Sequence, residues 1–209
     1  MIRRGAIAAG VMAGVAAVAL VGGGVAPSAQ ASASAAAATA TWKVDAVHSS
    51  VVFRIKHGGT SYFWGRFNDP AGEINIDESD LASSLVKIEL QAEKIDTANQ
   101  GRDNHLRGPD FFNAKQYPTT TFTGTGAKRV SDGVYEVSGE LTLLGKSRPL
   151  TVRLEKTGSI ADHPRMGTRE GWESTFVIKR TDFGMDYGVE AGALGDEVKV
   201  VVGLQTIKG

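Results

Sequence analysis

From Trp42 onward the chain alternates apolar and polar residues with a period of two, the mark of strands that bury one face and expose the other. In VVFRIKH, Val51, Phe53 and Ile55 fall on one side and Arg54 and Lys56 on the other. SLVKIELQ repeats this with Val86, Ile88 and Leu90 against Lys87, Glu89 and Gln91. GVYEVSGELTLLG sustains it longest, with Tyr135, Val137, Gly139, Leu141 and Leu143 facing one way. PLTVRLEK follows after the short turn Gly145-Lys146-Ser147, which predicts an antiparallel hairpin. Residues 62–67, 72–76, 120–125, 171–180 and 197–207 carry the same signal more briefly.

The pattern predicts an all-β fold, a barrel or a sandwich, with about eight or nine strands joined mostly by short turns; closure into a barrel removes exposed edges. Two features favour an extended antiparallel β-barrel of about eight strands. The strand around Leu141 spans roughly 11 residues, nearly 40 Å at about 3.4 Å per residue, more than a minimal core needs. A barrel of that size also encloses enough space for one small ligand, as lipocalins do. Gly65 and Gly139 fall at inward positions, where they either enlarge a cavity or let the strands bend.

The alternation vanishes for long only between about Asp96 and Pro118. TANQGRDNHLRGP reads as a short helix, with Thr97 and Gln100 spaced as a capping box and Gly108-Pro109 as the stop. Asp103 and Arg107, four apart, stand in the favourable order for pairing. With only Ala98 and Leu106 apolar, the helix cannot bury a broad face. It is expected to cap one barrel end, with Phe111 and Phe112 as its apolar anchor.

Composition narrows the setting. Residues 1–31 read as a secretory signal peptide: Arg3 and Arg4 precede the apolar stretch from Ala6 to Val25, and Ala29-Gln30-Ala31 forms an A-x-A cleavage site. Residues 32–41, all Ala, Ser and Thr, read as a flexible leader. The expected location is therefore extracellular or periplasmic, with no membrane span in the mature form. The whole chain balances 23 Lys and Arg against 23 Asp and Glu, and losing Arg3 and Arg4 leaves 21 against 23, a charge of −2. Nothing in that balance suggests a nucleic-acid partner. The absence of cysteine excludes disulfides and thiol chemistry, so an apolar core must hold the fold.

Four segments in order, VDAVHSSVVFRIKH, IDTANQGRDNHLRGPDFFNAKQYPTTTF, GELTLLGKSRPLTV and KRTDFGMDYG, make residues 42–208 resemble the YceI-like family. The resemblance implies an exported, lipocalin-like barrel closed by a helix and holding a polyisoprenoid, an isoprenoid quinone or another long-chain lipid. It implies no catalysis and no cofactor, and it leaves room for a homodimer. Leu144 departs from it, standing where many relatives are expected to carry histidine.

The four histidines, His48, His57, His105 and His163, stand in no metal-ligand spacing, and no nucleophile elbow or phosphate-cradling loop is present. His48 and His57, nine apart, are expected on opposite faces. The alternation offers Phe53, Ile55, Phe63, Phe67, Ile88, Leu90, Phe122, Leu141, Leu143, Trp172, Phe176 and Ile178 as cavity lining. Arg102 and His105, three apart on the helix, are head-group candidates at the mouth beside Phe111 and Phe112. Arg102 has a second reading, as a latch to Asp96 or Asp110. The competing functions are an enzyme acting on a prenyl lipid through Arg102 and His105, and a solidly packed stress-response or interaction protein without ligand.

Overall fold

The alternating segments form strands that close on themselves. The computed structural model describes residues 41–209; the expected signal peptide and the expected leader up to residue 40 lie outside the described residues. The strands are β1 (Trp42–Val44), β2 (Ser50–His57), β3 (Ser61–Phe67), β4 (Ala71–Asn75), β5 (Leu85–Gln91), β6 (Ile95–Asp96), β7 (Thr119–Thr125), β8 (Lys128–Ser131), β9 (Val134–Leu143), β10 (Lys146–His163), β11 (Gly167–Lys179) and β12 (Leu194–Lys208). A single α-helix among the described residues, α1 (Gln100–Leu106), interrupts them between β6 and β7.

Every pairing is antiparallel. β1 and β2 both lie along β12, separated by a short 3₁₀ turn, Ala46–His48. β3 and β4 follow one another past Pro70 and lie along β2 and β1 in turn. Counted this way, eight lengths of chain run in simple up-and-down order through β5, β7, β9, β10, β11 and β12 and back to β1. The result is a closed eight-strand antiparallel barrel, the one of the two architectures compatible with the alternation that the long strand around Leu141 favours. β6 adds a short flap to β3, and β8 to β9.

Two local expectations need correction. The β9–β10 hairpin turns at Leu144-Gly145, one position earlier than predicted, with Leu143 paired to Lys146. Both turn residues have positive φ, 52° and 69°, as a two-residue hairpin with the right twist demands. Leu144 has no glycine freedom there, and its side chain packs against the Phe111, Leu141 and Phe183 cluster, which offsets the backbone cost. The β10–β11 ribbon also runs on to His163 and Gly167, well past the predicted ends. Its residues 157–163 are exposed, so neither face imposes an apolar period on the sequence.

The interior is filled at both ends and open between. At the closed end Ile74, Val86, Tyr135, Val137, Val152, Leu154, Trp172 and Leu204 form one apolar cluster. At the helix end Phe111, Leu141, Leu143, Phe183 and Met185 form another. Gly139 serves close strand approach, because a Cβ there would stand 2.4 Å from the Thr123 carbonyl oxygen. Gly65 lies under a ring: its Cβ would stand 2.4 Å from Phe53 Cζ.

Candidate functional site: an apolar cavity under a helical lid

Inward positions of the barrel strands enclose a cavity of about 580 Å³. That lies within the roughly 300–1,000 Å³ of small-molecule sites. Eleven of the twelve residues predicted from alternation line it: Phe53, Ile55, Phe63, Phe67, Ile88, Leu90, Phe122, Leu141, Leu143, Phe176 and Ile178. Trp172 is the correction. It faces inward on β11 but lies at the closed end, only 3% exposed and packed on Tyr135 with ring centroids 6.3 Å apart, so it forms part of the packed floor and not the lining. Period two tells inward from outward and carries no information about depth along the barrel.

The lid is built from the expected stretch, with different fastenings. The N-cap of α1 is Asn99, whose side chain accepts the Arg102 amide at 3.0 Å. Thr97 instead donates its amide to the Asp103 carboxylate at 2.9 Å, and its hydroxyl donates to the same oxygen. Asp103 is buried and bonded to Thr97, so it does not pair with Arg107. Arg107 reaches back to the carbonyls of Glu93 at 2.9 Å and Ile95 at 2.8 Å, tying the end of the helix to β6. Below the helix, Phe111 is 7% exposed within the Leu141 cluster. Phe112 meets Phe67 edge-on at 5.3 Å.

Arg102 and His105 both border the cavity. Arg102 takes neither of its expected carboxylate partners. Its guanidinium lies 4.0 Å over the Phe63 ring and donates through Nε to the Thr97 hydroxyl at 2.9 Å and through Nη2 to the Thr97 carbonyl at 2.7 Å. His105 Nε2 lies 2.8 Å from Asp110 Oδ2. Its ring sits edge-on to Phe111 and Tyr187, at 5.0 and 5.2 Å. Both basic groups are therefore occupied in holding the lid. Asp96, the partner expected for Arg102, accepts instead from Ala98 N, Asn68 and Arg66. The Ala98 amide and the Asn68 side chain hold its carboxyl below the usual range.

Two parts of the lining carry no prediction. Val198, Val200, Val202 and Leu204 form the β12 wall, and their alternation is legible in VKVVVGLQ, although Val201 on the outer face blurs it. Arg180, Met185 and Tyr187 come from the segment between β11 and β12, which has no period to read, and Leu194 opens β12. Arg180 is 1% exposed and donates to the carbonyls of Gly195, Met185 and Tyr187 at 2.8, 3.1 and 2.8 Å, so it pins that segment over the barrel. Burial pushes its guanidinium below its usual pKa. His48 bonds Asp45 at the other end, whereas His57 borders the mouth. Among the described residues no three His, Asp or Glu side chains converge as a metal site would require.

A cavity this apolar, fed by eleven residues of alternating strands, matches a known family in sequence. The model of the YceI-like domain matches residues 42–206. The chain belongs to the YceI-like family. This YceI-like protein is 35% identical over 171 residues to a UPF0312 protein of Pseudomonas aeruginosa, covering 81% of this chain and 87% of that one. A UPF0312 protein of Yersinia enterocolitica matches to the same extent. Among solved structures, BcnA of Burkholderia cenocepacia superposes with a TM-score of 0.69 at 22% identity, over 78% of this chain and 98% of that one. A polyisoprenoid binding domain from Saccharophagus degradans superposes with a TM-score of 0.62 at 16% identity, over 80% of this chain and 98% of that one. These two likenesses concern the fold. The barrel fold is thus shared architecture, and the residues that line its cavity are this chain's own.

Proposed function

We propose that this YceI-like protein is an exported carrier that holds one long-chain isoprenoid lipid in its barrel. The observation that carries the reading is the cavity itself: about 580 Å³, walled by Phe, Leu, Ile and Val, and left open between two packed clusters. An empty space of that size forgoes dispersion contacts, so a fold without a ligand gains nothing by keeping it. An isoprenoid chain fills it favourably, at about 25 cal/mol per Å² of apolar surface removed from water. Membership of the YceI-like family and the polyisoprenoid-binding description of a fold neighbour support the ligand class. The basic start, apolar stretch and A-x-A site of residues 1–31 support export.

The eleven lining residues and Phe111 and Phe112 are the proposed apolar contacts. Arg102 and His105 are proposed as rim residues that meet whatever part of the ligand emerges there. In the lid Arg102 is bonded to Thr97 and His105 to Asp110, which supports a holding role for both.

Native mass spectrometry and organic extraction test the reading after the protein is incubated with polyprenyl phosphate and with isoprenoid quinone in separate vesicles. One lipid per chain is expected with at least one of them, and weaker retention in Val200→Trp, where an indole takes up part of the cavity. A wild-type protein that emerges empty from both incubations overturns the proposal.

A further inference from the structure

On the outer side of the barrel, β3, β2, β12 and β11 present a face of cations and aromatic rings. Trp64, Arg54, Lys199 and Val177 stand opposite one another across these strands in a single row. Tyr62 and Lys56 pair in the next row towards the mouth. Tyr62, Trp64 and Val177 are half-exposed. The Arg54 guanidinium lies 4.1 Å from the Tyr62 ring centroid and 5.8 Å from that of Trp64, and Lys56 Nζ lies 4.8 Å over Tyr62. Two features of this face cost the isolated fold stability. Arg54 and Lys199 are like charges directly opposite each other on neighbouring strands, a destabilising arrangement. Among the described residues, moreover, none of Arg54, Lys56 and Lys199 has a carboxylate partner, whereas Arg129, Lys156 and Arg169 elsewhere on the barrel each hold one. Glu197, on the same face of β12, stands opposite Lys179.

Stacking on a ring holds a cation in place without neutralising it. The face therefore offers fixed positive charge beside an exposed indole and phenol, and its complement is a surface that carries anions above an apolar layer. We propose that this face docks on an anionic phospholipid bilayer. Arg54, Lys56 and Lys199 meet the lipid phosphates, and Trp64 and Tyr62 enter the headgroup zone, where amphipathic rings are favoured. An acidic protein surface would answer the cations and leave the rings without an apolar partner, whereas the bilayer interface answers both.

The place of the face on the barrel gives the docking a use. Phe53, Ile55, Phe63 and Val200, on the inner side of the same strands, line the cavity, and Tyr62 borders both the cavity and the docking face. A bilayer held there lies beside the mouth, so a lipid has a short path between membrane and barrel. In this the inference rests on the carrier function, because a carrier must meet the bilayer that dissolves its cargo. The docking itself needs no cargo and is measured without one.

The test is co-sedimentation with vesicles of phosphatidylcholine alone and of phosphatidylcholine mixed equally with phosphatidylglycerol. Residues 32–209 serve, since the barrel closes through β1 and β12 and the apolar stretch of residues 6–25 would bind a bilayer by itself. Wild type is expected on the anionic vesicles and not on the neutral ones. Its binding should fall as salt shortens the screening length from about 10 Å at 0.1 M to about 3 Å at 1 M. Lys56→Gln/Lys199→Gln is expected to bind about 25-fold more weakly, roughly fivefold for each cation lost. Lys87→Gln/Lys128→Gln, which removes two exposed lysines from β5 and β8, should bind as wild type does. Tryptophan emission should shift to the blue on anionic vesicles and stay put in Trp64→Ser. Melting temperatures equal to that of wild type show that the variants are folded. Equal binding to both vesicle types, equal weakening in the two double variants, or a blue shift that survives Trp64→Ser overturns the inference. So does a dimer in vesicle-free solution that Trp64→Ser dissolves, which would assign the face to a second copy. Polyprenyl phosphate added from ethanol, with no bilayer present, should load wild type and Lys56→Gln/Lys199→Gln alike; failure of both to load removes the carrier function, and sedimentation still decides the docking.

Discussion

Arg102 shows how a single residue's role turns on a neighbour five residues back along the chain. Its spacing from His105 made it a head-group candidate, yet Thr97 takes two of its N–H groups and Phe63 takes its face. Asp45 is the sharper case of a placed charge. His48 and Arg169 donate to its carboxylate at 2.8 and 2.6 Å, and Val47 N adds a third bond, so its pKa falls from 3.8 to about 2. The sign follows from linkage: a carboxylate with a depressed folded pKa adds stability that is fully present above its unfolded value and is lost as the pH falls towards 2. Asp45→Asn is therefore expected to cost about 1–2 kcal/mol at pH 7, after allowing for solvent screening. Urea melts of the two proteins should converge between pH 4 and pH 2; a gap that stays constant would separate Asp45 from the acid sensitivity.

At the scale of elements, α1 is too short and too polar to hold itself. An isolated seven-residue helix is unstable in water, so its order comes from tertiary fastenings. Those are the Asn99 cap, the buried Asp103 bonded to Thr97, the Arg107 bonds to β6, and Phe111 and Phe112 below. Asp103→Ala removes the acceptor of both Thr97 groups and is expected to cost about 1–3 kcal/mol. Hydrogen exchange should speed up in residues 97–114 while β9 to β12 stay protected, and bound lipid should leave several-fold faster. Equal exchange across the lid in variant and wild type would mean that the phenylalanines alone hold it.

The alternation made the strands legible because each buries one face, and a two-residue period is the only way a strand can do that. The exposed ribbon 157–163 was illegible for the same reason: with no buried face, nothing constrains the order of polar and apolar residues. The site divides likewise. Eleven lining residues could be read from single strands, whereas Arg180, Met185 and Tyr187 come from a segment whose conformation depends on the buried guanidinium of Arg180.

On the scale of the whole molecule, closure turns a twisted sheet into a container with one stability. β1 meets β12 over three residue pairs and β4 at one, Lys43 with Glu73, so the barrel has no free edge there. A ligand that binds only the closed barrel must raise its stability by mass action, about 2.7 kcal/mol when free ligand is at 100 times its Kd. For a domain of this size that is a rise of roughly 5–10 °C in melting temperature. Calorimetry of lipid-loaded and organic-extracted protein should show the rise, and Val200→Trp, with less room for lipid, should show a smaller one. Identical melting of loaded and extracted wild type would mean that the lipid sits outside the barrel.

The sequence by itself determined which residues face inward, that the strands are antiparallel, that one short helix interrupts them, and to which family the chain belongs. All of these follow from local periodicity or short motifs, in which near neighbours along the chain carry the information. Tertiary structure alone decided depth and partnership: that Trp172 is floor and not wall, that Arg102 bonds Thr97, and that Arg180 holds the carbonyls of Met185, Tyr187 and Gly195. Those outcomes depend on which strands stand opposite one another around a closed ring, and closure sets distances between residues that no local period relates.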